Sequence, residues 1–453
     1  MSATAPGGPG ARRCAPGAPG TPVVHPGQVV RRCLASRGVT TTPEAPDILS
    51  PEFAADPYPA YRILREHYPL LHHKGTDSYL LSRYEDVARA FRDPVFTTDN
   101  YTWQMEPAHG GRTLPQMSGR EHAVRRALVA PAFRGRELRE TFLPVIERNA
   151  RELIDAFRDA EEADLVARFA TRFPINVIVD MLGLDRADHD RFHGWYGAVV
   201  AFLSNLAQDP AVAAAGRRAG EELAAYLRPV LRERRAAPGD DLLSRLCAAE
   251  VDGVRMNDQD ITAFVSLLLS AGGETTDKAL ALIFRNLLAH PDQLAAVRAD
   301  RSLIPAAFAE TLRYTPPVQM IMRQPAADVT LSGGTVPAGA TVICLIGAAN
   351  RDPGHYTRPD SFDIFRTDLN PASACSAAAE HVAFGLGRHF CVGALLARTE
   401  VETGVGQLLD AFPVMAFADG TAPDDAGVFT RGPRHLRLRL GRDAQRAGAA
   451  GAA

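Results

Sequence analysis

One stretch limits the possible folds more than any other. From Asn257 to His290 apolar residues recur at helical spacing over about 34 residues. Asn257, followed three residues later by Asp260, makes a capping-box-like start, and Pro291 marks the end. Globular helices average roughly 11–12 residues. One about three times as long, without a coiled-coil pattern, predicts a rod through the middle of a large helical body. Near its centre stands Ala271-Gly-Gly-Glu-Thr-Thr276. Adjacent glycines cost a helix interior roughly 1 kcal/mol each against alanine. The expected return is a local groove at Gly272.

The rest of the chain is consistent with such a body. Tyr58–Tyr68 has helical spacing, Tyr79–Leu81 reads as a strand, and the segment from Ser82 to Pro94 reads as a short helix. Val95–Gln116 loses periodicity and holds Pro107, Gly110, Gly111 and Pro115, so a long loop is expected there. From Gly119 to Pro238 the pattern is helical, with breaks expected at Pro131, Pro174, Gly183 and Pro210. After Pro316 short strands are expected at Val318–Arg323, Val329–Leu331, Thr335–Pro337 and Thr341–Leu345, and a last long helix from about Val392 to Ala411. No internal repeat or composition shift divides the body. The fold class is mainly α with a small β region (α+β), one large domain over 47–440. The Pro/Gly/Ala-rich leader 1–46 and the tail 441–453 lack the apolar surface to offset ordering entropy.

Bulk properties exclude several classes. A net charge of -3 on 453 residues gives no clustered positive field for nucleic acid. The most apolar runs, Ile261–Leu269 and Ala340–Ala348, fall short of the roughly 18–20 residues that cross a bilayer. The N-terminus has no apolar core for export, so a soluble, cytoplasmic protein is expected. Six cysteines are scattered with no C-x-x-C pair, which is neither a disulfide framework nor a zinc site.

One cysteine has a specific context. In Phe384-Gly-Leu-Gly-Arg-His-Phe-Cys391-Val-Gly393, two glycines precede the cysteine and one follows. They let the backbone turn tightly and approach a large flat ligand. A helix starting directly afterwards presents free N–H groups that favour a thiolate. This segment resembles the haem-binding signature of the cytochrome P450 family at every defined position. The resemblance implies haem b with Cys391 as iron ligand, and Phe384, Gly385 and Gly393 shaping the haem contact.

Further motifs match the family in order. Glu310-Thr-Leu-Arg313, about 80 residues before the cysteine, resembles its E-x-x-R pair, whose members share one helix face. Arg366 in FDIFR matches the arginine that completes this structural cluster. Glu274 and Thr275 match the acid–alcohol pair: Thr275 would hold the oxygen species or an ordered water, and Glu274 would relay protons. The groove at Gly272 would lie where dioxygen meets the iron. His122 and Arg126, four apart on one face, match haem-propionate positions, as do Arg323 and His389. The resemblance covers about 47–440.

The implied activity is reductive activation of dioxygen and hydroxylation, epoxidation or coupling of a mid-sized, mostly apolar secondary metabolite, free or tethered to a carrier protein. Electrons would come from a ferredoxin or flavodoxin, and the protein is expected to be a monomer. Arg125, Arg134, Arg136, Arg139 and Arg388 are either a docking face for that carrier or ordinary solvated charges. Substrate contacts are expected from the Val95–Gln116 loop, with Phe96, Trp103 and Met105 as candidates, from Phe192–Leu206, from Val318–Ile321 and from a last turn near Phe429. Two rivals stand beside this reading: a peroxygenase using hydrogen peroxide, and a catalytically silent haem protein that recruits partners. Degenerate members would lose the acid–alcohol pair or the cysteine loop, and both are intact here.

Overall fold

The capping box at the start of the long helix forms as expected. Asn257 accepts the Asp260 N–H at 2.9 Å, and the Asp260 carboxylate accepts the Asn257 N–H at 3.0 Å. In this computed structural model, which describes residues 42–205 and 208–441 (backbone alone at Trp103 and Gln104), the helix then runs unbroken to Ala289. It is not uniform. Leu268–Gly272 forms a wider π-helical turn between Asp258–Leu267 and Gly273–Ala289, a feature often found at functional sites. Most of the apolar core packs around this rod, with fully buried Ile261, Val265, Leu280, Ile283, Phe284 and Leu287 supplied by the helix itself.

Helices Gly119–Val129, Leu143–Asp155, Arg172–Met181, His189–Leu203, Pro210–Ala236, Ile304–Tyr314 and Ala394–Ala411 are the other long members of the α body. Pro174 does not break its helix, because it sits in the first turn of Arg172–Met181, where a missing N–H costs nothing. Gly183 does end the same helix, at φ +68°. The helix expected before the cysteine-proximal strand region is present, Ile304–Tyr314, and Ala394–Ala411 is the last.

The β region is a five-stranded sheet in the order Leu70–His73, Ser78–Leu81, Thr341–Leu345, Met320–Pro325, Phe96–Thr97. All pairings are antiparallel except Thr341–Leu345 with Ser78–Leu81. Register places Val342 opposite Arg323 and Cys344 opposite Ile321. Ile321 and Arg323, two apart, therefore share one face. A strand at Glu162–Asp164, pairing with Arg437–Gly441, was not foreseen.

The expected loop Val95–Gln116 is mostly structured. It holds the strand Phe96–Thr97, a tight 3₁₀ turn at Asp99–Tyr101 and a helix Thr102–His109 ended by Gly110 at φ +70°. Pro107 lies inside that helix, and no apolar stripe marks it. Tertiary contacts hold it instead. His109 Nδ1 pairs with Ser266 Oγ at 2.9 Å, and Gln259 donates to the Gly110 carbonyl at 2.9 Å, both from the central helix.

The described residues from Pro43 to Gly441 form one compact unit. Of the expected leader only 42–46 lies within the described residues, and of the expected tail only Gly441, which ends a strand. No helix among the described residues is long and apolar enough to cross a membrane.

Candidate active site

The Cys391 loop owes its shape to two left-handed backbone positions. Gly385 and Gly387 both have φ +68°. A Cβ at Gly387 would also stand 2.8 Å from the Phe91 carbonyl oxygen, so helix Tyr84–Arg92 packs directly on the loop. The Cys391 N–H donates to the Phe384 carbonyl at 2.9 Å and closes the turn. Helix Ala394–Ala411 follows three residues later. Burial pushes the Cys391 thiol above its ordinary pKa; the Gly393 N–H and the Arg126 charge pull it down less strongly. A bound metal cation deprotonates a coordinating thiol outright, whatever its free pKa.

The sulfur faces a cavity of about 360 Å³. That lies within the roughly 300–1,000 Å³ usual for ligand pockets. Phe384, Gly385 and Val392 form its floor beside Cys391, and Ala271, Thr275, Thr276 and Ala279 bring in the central helix. Met105, Leu114, Val318 and Ile321 lie on its apolar walls. Gly393 does not line it; a Cβ there would sit 4.0 Å from the Cys391 sulfur.

His122, Arg126, Arg323 and His389 gather at the edge of this cavity. The His122 and His389 rings lie 4.3 Å apart. Among the described residues neither Arg126 nor Arg323 has a carboxylate partner, and His389 Nε2 is buried without a hydrogen bond. Burial, then the charges of His122, Arg323, Arg388 and Arg126, drive His389 down to about 3. Such a group of donors lacking counter-charge suits the two propionates of haem. The residues present fit the group.

The acid–alcohol pair is split by the helix. Thr275 lines the cavity and donates to the Ala271 carbonyl at 2.8 Å. Glu274 lies off the cavity wall, receives the Thr430 hydroxyl proton, and is raised above the usual carboxylate range, chiefly by burial. Gly272 does not border a groove. Its missing Cβ would meet Ile178 Cδ1 at 3.2 Å, and that of Gly273 would meet Ile175 Cδ1 at 2.4 Å and Tyr196 Cε2 at 3.0 Å. The glycines let neighbouring helices close on the rod, and Ala271 is the residue that faces the cavity. Paired glycines signal close approach, and the sequence does not say of what.

The structural cluster is complete. Arg313 donates from Nε and Nη2 to the two Glu310 oxygens, both at 2.7 Å, and to the Pro359 and Ser361 carbonyls. Arg366 Nε lies 3.1 Å from Glu310 Oε2, and the Asp363 N–H donates to Glu310 Oε1 at 2.8 Å. Glu310 and Arg313 are fully buried, so each charge depends on the others.

Several expected contacts fall elsewhere. Phe96 is buried in the core and is not free for its expected role; its carbonyl accepts from Arg388, which stays half-buried and without a carboxylate partner among the described residues. Arg125 is tied to Asp260 at 2.7 Å and leaves the docking face. Arg134, Arg136 and Arg139 remain exposed, Arg136 beside Glu140 at 3.4 Å. Phe192 packs against Trp195 and Tyr226, and Phe429 against the N-terminal cluster around Ile48 and Phe53. Leu206 and the Trp103 side chain lie outside the described residues. Thr98 and Tyr101, in the loop expected to supply contacts, line the cavity, as does Thr276; none of the three was singled out, because a lone hydroxyl residue carries no spacing signal.

Comparison with known proteins agrees with this geometry. The Cytochrome P450 family model matches residues 62–435. Pulcherriminic acid synthase of Bacillus subtilis is 41% identical over 86% of this chain and 96% of its own length. The 6-deoxyerythronolide B hydroxylase of Saccharopolyspora erythraea is 32% identical over 87% and 98%. Among solved structures, P450BioI in complex with a hexadec-9Z-enoic acid ligated acyl carrier protein superposes with a TM-score of 0.77 at 26% identity, over 86% of this chain and 99% of that one. With the cysteine loop, the buried Glu310–Arg313–Arg366 cluster and these matches together, the chain belongs to the cytochrome P450 family and is a haem-b-dependent monooxygenase.

Proposed function

We propose that this monooxygenase hydroxylates or epoxidises a mid-sized, mostly apolar secondary metabolite, with electrons from a separate ferredoxin or flavodoxin. The observation that carries the reading is the cavity whose apolar walls stand beside the Cys391 loop with Thr275 on one side. When bound, haem supplies reductive activation of dioxygen.

The chain's own groups divide the remaining work. Cys391 would ligate the haem iron, and His122, Arg126, Arg323 and His389 would hold the propionates. Leu267, Ala271 and Ala279 keep the guest's side of the central helix apolar and limit water there. Thr275 holds a hydroxyl proton at the cavity wall. Glu274, kept neutral to higher pH than an ordinary carboxyl, stores a proton behind it, with Thr430 holding the carboxyl in place. The exposed arginines 134, 136 and 139 suit an acidic electron carrier.

The test starts from the visible spectrum. Ferric protein is titrated with a library of free and carrier-bound metabolites, and those that shift the Soret band are turned over with NADPH, reductase and ferredoxin. Oxygenated product from this system is the expected result. The relatives named for pulcherriminic acid and 6-deoxyerythronolide B support the substrate class, and the acyl-carrier complex of P450BioI is the reason to include tethered compounds. Turnover with hydrogen peroxide and none with the electron carrier would replace the reading with a peroxygenase. Spectral shifts with no turnover by either route would leave a silent haem protein.

A further inference from the structure

Two hydroxyl groups on the cavity wall have no task in the reading above. Thr98 directly precedes the turn Asp99–Tyr101, and both Thr98 and Tyr101 line the cavity. Thr98 is 1% exposed, and its Oγ1 has no hydrogen-bond partner. Tyr101 accepts the Met322 N–H at 2.8 Å, which pins the turn to strand Met320–Pro325. Its own proton has no acceptor among the described residues.

Buried polar atoms are almost always partnered, and each exception in a folded protein asks for a cause. Both residues line a cavity built to hold a guest, so the guest is the natural partner. The propionates already have four donor residues at the cavity edge, and further neutral hydroxyls add little beside two guanidinium groups. Burial also holds the Tyr101 hydroxyl above its ordinary pKa, so it stays a donor across the working range. The wall around the pair is apolar, with Met105, Leu114, Val318 and Ile321.

We propose that Thr98 and Tyr101 offer hydrogen-bond donors to a carbonyl oxygen of the substrate, which narrows the substrate class to apolar molecules carrying a ketone, lactone or amide. This rests on the apolar-metabolite reading above. It makes the turn a specificity element: a guest without the acceptor leaves the buried hydroxyls unpaired, while a guest with a second polar group finds no partner for it on the apolar wall.

The test uses ferric holoenzyme and matched pairs of cyclic ketones and cycloalkanes, from cyclohexanone and cyclohexane up to cyclododecanone and cyclododecane. Dissociation constants come from the Soret shift. Hydrophobicity alone favours the cycloalkane in every pair. The expected result is the reverse, with the ketone tighter by roughly 5- to 100-fold at the ring size that fits best. Thr98→Val keeps the side-chain shape and reduces the preference; adding Tyr101→Phe removes it. Tyr101→Phe also takes the acceptor from the Met322 N–H, so Thr98→Val carries the weight of the test.

Equal affinity within the pairs, or a ketone preference that survives both substitutions, would overturn the inference and leave the parent reading intact. If the hydroxyls serve the propionates instead, the variants lose haem to apomyoglobin faster while the ketone preference persists, which also overturns it. No shift with any ring size, in protein that holds haem, would sink the apolar-substrate reading itself.

Discussion

At Glu274 burial raises the carboxyl pKa above that of the unfolded chain. The folded state therefore keeps this proton to higher pH. The stability it contributes is full below the ordinary carboxylate range and is lost as pH rises through the raised value. Glu274→Gln, which keeps the shape without the charge, should gain melting temperature relative to the parent as buffers move from acidic to alkaline, with the gap closing at acidic pH. The same variant should consume NADPH while releasing more peroxide and less product, because a glutamine cannot return a proton. Scanning calorimetry over a pH series reads the first effect, and product-to-NADPH ratio reads the second. Residues of this kind were legible in the sequence to the degree that their neighbours were constrained. Cys391 stands among glycines whose φ values leave little choice, and Glu310 stands three before an arginine. Thr98 and Tyr101 were legible only as members of a loop expected to meet the substrate, since their individual importance comes from the fold bringing an ordinary turn against a distant strand.

Elements show the same divide. The length and caps of the central helix could be read from periodicity, whereas its π-turn could not, because a one-residue widening leaves the apolar pattern almost intact. The helix Thr102–His109 was hidden for a different reason: it is held by His109 and Gly110 against residues some 150 positions away. Gly273 illustrates how packing overrides propensity. Gly273→Ala should gain about 1 kcal/mol of helix propensity but force a Cβ onto Ile175 and Tyr196, an overpacking that costs roughly 1–3 kcal/mol. Net destabilisation in denaturant titration is expected, and Ile175→Val, which removes the 2.4 Å contact atom, should restore part of it in the double variant. The Glu310 cluster should behave more severely. Glu310→Gln leaves Arg313 and Arg366 with a buried excess of charge, costing about 3–5 kcal/mol. Low haem content and a lowered unfolding midpoint are the expected readouts.

For the whole molecule, the organisation places the reacting centre at the meeting of three parts: the cysteine loop, the rod and the sheet edge that carries Ile321 and Arg323. Electrons must reach it from outside, and the arginines left free by the structure are fewer than the sequence suggested. With Arg125 and Arg136 paired to carboxylates and Arg388 half-buried, Arg134 and Arg139 carry most of the remaining expectation. Arg134→Glu with Arg139→Glu should slow ferredoxin-supported reduction by about tenfold at low salt, with the deficit shrinking as salt screens the field. Substrate dissociation constants should not change. Stopped-flow reduction at several ionic strengths measures this directly.

Asp260 has two attachments. Its carboxylate caps the first turn of the rod and also grips Arg125, one residue before the Arg126 that lines the cavity edge. A single side chain thus acts as a rivet through two plates, the helix against which a guest rests and the helix that would clasp the cofactor's acidic rim. Removing that one carboxylate would loosen both plates at once, the wall that faces a guest and the residues that would meet the cofactor's acidic rim.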